Sequence, residues 1–112
     1  MKAIKYKISM GVDDEAQVLS TREVDGFEAF EKFGFKFGVH ESTEKGQGTG
    51  GDFTCWEITE IGTGFRIPSP TPIFSAQDAI TWAQKRLDEV GEAFVIDRIN
   101  RARAILALSE SI

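Results

Sequence analysis

The chain has 112 residues, the usual size of one domain, so we expect a single domain over 1–112. Hydrophobic residues make up 41% of it and charged residues 28%, which argues against a disordered tail. No apolar run approaches the roughly 20 residues that cross a bilayer, so we expect no membrane association. The lone Cys55 cannot form an intrachain disulfide, which predicts a cytoplasmic protein stabilised by its packed core.

Net charge is distributed unevenly along the chain. The formal charge is −5, and residues 1–60 account for it, with 12 acidic residues against seven basic ones. This sign opposes the binding of phosphate backbones, so nucleic acid is not the expected partner. An acidic surface instead fits a basic groove on a partner protein, including one that normally holds nucleic acid. The residues expected to form this partner-binding surface are Asp13, Asp14, Glu15, Glu23, Asp25, Glu28 and Glu31.

The first elements in chain order are predicted to be a hairpin and a short helix. Apolar and polar residues alternate over 4–10, which predicts a strand, and residues 16–24 predict its hairpin partner. The phenylalanines of 27–33 include a pair three positions apart, which predicts a short helix. Asp25 is its expected N-cap and Gly34 its expected end.

Three more strands are predicted after this helix. Over 33–40 the apolar period is two, which predicts a strand with three phenylalanines on one face. Residues 41–51 contain four glycines and no large apolar residue, which predicts a mobile loop. Residues 52–62 and 65–67 then predict a hairpin closed by the turn over 62–64.

Two helices are predicted at the C-terminal end. Three alternating prolines, which predict an extended connector, precede Ser75, the expected N-cap of a helix that Gly91 ends. The second helix, over 92–109, is apolar around a wide arc, which fits burial on more than one side or a homodimer. The predicted fold class is therefore α+β, an antiparallel sheet of four or five strands with a short helix inserted and two C-terminal helices on one face.

No set of residues makes a catalytic, cofactor or metal site by spacing alone. The G-x-G-x-x-G pattern over 46–51 precedes a strand where phosphate binding needs a helix, so a hairpin loop is the expected structure. One histidine and one cysteine cannot build a structural zinc site. We therefore predict no metal, no cofactor and no catalysis; His40 and Cys55 as a thiol dyad across strands leave a small Cys/His enzyme as an alternative.

Segment 32–39 resembles the aromatic strand motif by which RRM and cold-shock domains stack bases. The glycine expected after the leading lysine is Phe33, and the net charge opposes polyanion binding. Core packing explains the spacing of Phe35 and Phe37 equally well. A single-stranded nucleic-acid-binding domain stays open as a second alternative.

Trp82 is the remaining candidate for an interface residue. It lies about 100° from the axis of its helix's apolar face, beside charged residues. An indole in this position caps the edge of the core or anchors a partner, because tryptophan is enriched at interface hot spots. We include Trp82 among the expected partner-binding residues.

The segment Trp56–Ile67, followed by a capped helix with Ala79 and Ile80, resembles the strand, turn, strand and helix layout of small phage and mobile-element proteins. The resemblance implies a regulator or inhibitor of host systems, as anti-CRISPR proteins are. With the acidic first half and the missing catalytic constellation, it leads us to expect a small acidic, non-enzymatic protein-binding module.

Overall fold

The computed structural model describes residues 2–13, 18–41 and 55–110. Within these ranges the chain forms a single five-stranded sheet, in which all neighbouring strands are antiparallel and follow chain order. Two helices pack on this sheet, so the predicted α+β class is confirmed. The elements are β1 (Lys2–Asp13), β2 (Val18–Lys32), β3 (Phe35–Glu41), β4 (Trp56–Glu60), β5 (Arg66–Ile67), α1 (Ala76–Val90) and α2 (Glu92–Glu110).

The predicted short helix over 27–33 is wrong, because this segment is mostly the second half of β2. Phe27 pairs with Val39 and Phe30 with Phe37, and the register shifts between them, where Ala29 is the extra residue. Such a bulge moves the side-chain alternation on by one position. Phe27 and Phe30 therefore share one face of the sheet although they are three residues apart, the spacing that indicates a helix.

A two-residue turn, not a helix end, occupies positions 33 and 34. Lys32 pairs with Phe35 across the hairpin, and Phe33 and Gly34 have φ angles of 54° and 84°. Two positive φ values are typical of the type I′ turn, whose twist matches that of the flanking strands. The hairpin thus depends on Gly34 as its second turn residue.

The main core lies between one face of the sheet and the two helices. Phe37, Val39 and Ile58 are at most 1% exposed and lie on this face. Their partners are Ala79, Ile80, Ala83 and Leu87 of α1 and Val95 and Ile99 of α2. Of the three phenylalanines predicted on one strand face, Phe37 is in this core, whereas Phe33 and Phe35 pack at its margin.

Local signals at the helix ends agree with the structure. Ser75 is the N-cap of α1, and its hydroxyl accepts a hydrogen bond of 3.1 Å from the Asp78 N–H. Gly91 follows the last residue of α1 with φ 86°. Neither described helix is long and apolar enough to span a bilayer. The predicted mobile loop, apart from Glu41, lies outside the described residues.

The sheet curls so that its first strand meets the turn after β4. The Ser9 N–H donates a hydrogen bond of 2.6 Å to the Gly64 carbonyl oxygen. Because β1 and β4 are not neighbours in strand order, this contact brings distant parts of the sheet together. The face opposite the helices consequently has a buried centre of its own, which contains Tyr6, Ile8, His40 and Thr59.

Candidate functional site

Polar side chains in contact with one another extend through the buried centre on the face opposite the helices. Tyr6 Oη lies 3.0 Å from His40 Nδ1. His40 Nε2 lies 3.3 Å from Glu57 Oε2. Arg66 Nη1 in turn donates to both Glu57 oxygens, at 3.3 and 3.2 Å. These four residues, which we call the polar network, come from β1, β3, β4 and β5.

Two glycines make room for the Tyr6 ring. A Cβ atom at Gly38 would lie 2.7 Å from Tyr6 Cε1 and Cζ, and one at Gly26 would lie 2.8 Å from Cε1. Real side chains do not approach so closely, so the ring requires glycine at both positions. A glycine inside a strand often marks such a close approach. Gly26 and Gly38 thus place the phenol beside His40.

The protonation of the network follows from its surroundings. Burial, and secondly the Glu57 carboxylate, raise the pKa of Tyr6 well above its usual value, so the phenol keeps its proton. The phenol and His40 Nδ1 therefore share a hydrogen bond in which the tautomer of the imidazole decides the donor. Contact with His40 is the largest cause that lowers the pKa of Glu57; Arg66 adds to it and burial opposes it.

The outer end of the polar network opens into a groove of about 590 Å³ along β4 and β5. Glu57 and Arg66 line it, with side chains 26% and 28% exposed. Trp56 and Trp82 line it as well, and both indoles are half-buried. The groove therefore combines two large aromatic side chains with one ion pair.

One wall of the groove is the segment 68–72, which contains the three prolines and which we call the proline strap. Ile67 pairs with Ile58, and the Ile73 carbonyl accepts a hydrogen bond of 2.8 Å from the Trp56 N–H. The five residues between Ile67 and Ile73 therefore bridge two points that are fixed to β4. Within the strap, the Ser69 hydroxyl bonds to the main chain of Thr71.

The structure places the predicted acidic residues away from this groove. Asp25 and Glu23 on β2 lie opposite Lys5 and Lys7 on β1, and Lys5 Nζ is 3.9 Å from Asp25 Oδ1. Glu28 lies 3.9 Å from Lys36 Nζ, and Lys36 is also the register partner of Glu31. Asp13 is the last residue of β1, and Asp14 and Glu15 lie outside the described residues. Each described acidic residue of β2 thus lies opposite or close to a lysine.

The residues that the two alternative functions require already contact other side chains of the protein. Both ring nitrogens of His40 face Tyr6 and Glu57, and neither makes a hydrogen bond to Cys55. Phe37 is 1% exposed and stacks on Phe30 at 5.0 Å between ring centroids. Phe35 lies under the Arg103 guanidinium, 5.7 Å from the ring centroid. The G-x-G-x-x-G pattern lies outside the described residues, among which no cluster of three potential metal ligands occurs.

Of the residues predicted to bind a partner, Trp82 lines the groove, whereas the polar network and the groove itself were not predicted. Alternation predicts that Tyr6 faces inward, yet the partner of its hydroxyl, His40, comes from a strand far away in the chain. The available signal was the pair of glycines at 26 and 38, because a glycine within a strand indicates a close neighbour. In comparisons with known proteins, no family model, no curated protein and no solved structure matches the chain.

Proposed function

We propose that this protein is a non-enzymatic protein-binding module whose groove along β4 and β5 holds a segment of its partner. The observation that carries the proposal is the convergence of Trp56 and Trp82 on one groove of about 590 Å³. Tryptophan dominates many interfaces because a large, rigid side chain becomes buried at small entropic cost. The prolines of the strap restrict the opposite wall, which lowers the cost of ordering it on binding.

The burial of the polar network supports binding in preference to catalysis. A general base must come within hydrogen-bond reach of the proton that it removes. His40 is 1% exposed and Tyr6 is 5% exposed, and each already faces the other. We therefore assign the network a structural task, which is to hold Glu57 and Arg66 at the edge of the groove.

The acidic residues of β2 have no part in the proposed interface. Lysines on β1 and β3 lie directly opposite them, which weakens the negative potential that a basic partner would meet. In line with the resemblance of Trp56–Ile67, we propose that binding regulates or inhibits the partner. We place this activity in the cytoplasm, where a lone cysteine stays reduced.

Affinity capture from the cells that encode the protein tests the proposal. The tagged wild type is compared with Trp82→Ala and with Thr71→Arg, which adds a bulky charge at the exposed strap without altering the core. Phe94→Ala on α2 is the matched control, because Phe94 is 46% exposed and does not line the groove.

We expect the wild type and Phe94→Ala to retain the same protein, and both groove variants to lose it. Thermal melts confirm that each variant is folded before the comparison is made. A partner that binds both groove variants as well as it binds the wild type contradicts the proposal. So does a folded wild type that elutes alone.

A further inference from the structure

We infer that the partner segment carries an Asp or Glu side chain that binds Arg66, next to an apolar side chain that packs on Trp56 and Trp82. This inference rests on the proposed function, since it names the chemistry of the segment that the groove would hold. It follows from the hydrogen-bonding capacity that the polar network leaves unused.

Arg66 has N–H donors at the groove that its contact with Glu57 does not use. Its Nη1 atom makes both contacts with the Glu57 carboxylate, and its Nε and Nη2 atoms bond to no described side chain. A guanidinium has five N–H donors in a fixed fork, which suits a carboxylate. With 28% of its side chain exposed, Arg66 is accessible to an incoming acceptor.

Glu57, by contrast, has few hydrogen-bond acceptor sites left for a cation. Both of its oxygens accept from Arg66, and Oε2 also faces the His40 ring. A lysine or arginine of the partner would compete with Arg66 for the same two oxygens. A carboxylate would instead use the free donors of Arg66 and leave the contact with Glu57 in place.

The described residues that line the groove do not oppose a negative charge. Among the described residues that line it, Glu57 and Arg66 are the charged ones, and they neutralise each other. Lys85 lies one turn after Trp82 on α1, is exposed, and has no ion pair with a described residue. β5 is the last strand in the sheet order, and Arg66 on this strand lines the groove.

Selection from a random library of displayed linear 12-residue peptides tests the inference. The wild type, Arg66→Gln, Trp82→Ala and the matched control Arg101→Gln serve as baits; Arg101 is exposed on α2 and pairs with Asp97. The best peptide is then synthesised with an amidated C-terminus, as selected and with its acidic residue changed to the amide. Dissociation constants are measured for each combination.

We expect the wild type to enrich peptides that combine an aromatic or aliphatic residue with Asp or Glu. Arg66→Gln and the peptide amide should each weaken binding about tenfold, without additive loss when combined, because they remove the same charge-assisted contact. Arg66→Lys should recover part of the affinity, and Arg101→Gln should change nothing.

The failures of the two ideas are distinguishable. If no peptide is enriched, or if Trp82→Ala binds the selected peptides as well as the wild type does, the proposed function fails and the inference with it. If Trp82→Ala loses the peptides while Arg66→Gln and the peptide amide bind normally, the inference alone is overturned. An equal loss with Arg101→Gln also overturns it, because a general charge effect then explains the preference.

Discussion

Tyr6 links the first strand to the buried His40. Its hydroxyl is hydrogen-bonded to His40 Nδ1, a nitrogen that is enclosed by the sheet. Replacing Tyr6 by Phe keeps the ring on its glycines and leaves the nitrogen without its partner. We expect a loss of about 1–3 kcal/mol in the free energy of unfolding, the usual cost of an unsatisfied buried polar atom.

Urea denaturation of the Tyr6→Phe variant measures this loss. The matched control is Thr81→Val, which removes an exposed hydroxyl on α1 that has a 3.4 Å contact with Gln77. The control should change stability by less than about 0.5 kcal/mol. Equal stability of Tyr6→Phe and the wild type would show that the hydrogen bond to His40 contributes nothing.

Gly38 is the residue that the Tyr6 ring needs most directly. Its added Cβ would meet two ring atoms at 2.7 Å, so Gly38→Ala must displace the ring or the strand. We expect a destabilisation of about 1–3 kcal/mol, typical of an overpacked core. The test is a double-mutant cycle by urea denaturation: in a Tyr6→Ala background the same substitution should cost much less. Equal costs in both backgrounds would mean that the ring does not require glycine there.

Glu57 makes stability depend on pH in a predictable direction. Its pKa is lower in the folded protein than its ordinary value of 4.5, so the contact with His40 and Arg66 stabilises the fold above that value. This contribution is lost as the pH falls through the folded-state pKa. Urea denaturation between pH 7 and pH 3 should show a smaller acid-induced loss for Glu57→Gln than for the wild type. Parallel curves would contradict the assignment.

At the scale of elements, the sequence predicts those that depend on local signals. The Ser75 cap and Gly91 bound α1 because capping is decided within a few neighbouring residues. The second half of β2 was mistaken for a helix because the bulge at Ala29 is a property of its pairing with β3. Local spacing cannot distinguish a bulged strand from a helical turn when both place Phe27 and Phe30 on one side.

The turn between β2 and β3 provides a test of the corrected assignment. Gly34 has φ 84°, so Gly34→Ala should cost about 1 kcal/mol, whereas Gly34→Asn should cost less because Asn tolerates this conformation. A helix end at this position would also favour glycine, so the second readout is structural. Amide NMR should show strand-type contacts between Lys32 and Phe35, and helical contacts over 27–33 would contradict the hairpin.

At the scale of the molecule, the fold class was predictable and the curl of the sheet was not. The contact between Ser9 and Gly64 joins residues far apart in the sequence, and no local sequence pattern predicts it. The spatial arrangement of the charges was not predictable from local patterns either. Composition showed that the first half is acidic, but only the strand register places Lys5 opposite Asp25 and Lys7 opposite Glu23.

The candidate site was predictable to the same limited extent. Trp82 was recognisable as a residue off the apolar face of its helix. Trp56 and the proline strap reach the same groove only through the pairing of β4 with β5 and the bond between Trp56 and Ile73. Trp82 is therefore the residue at which the proposed function is tested most directly.

The measurement that tests the proposed function most directly is site-specific photo-crosslinking in the cells that encode the protein. A photoreactive phenylalanine derivative replaces Trp82 in one variant and the exposed Phe94 in another. Binding through the groove predicts a covalent adduct with a distinct protein from position 82 and none with that protein from position 94. No adduct from position 82, or the same adducts from both positions, would contradict it.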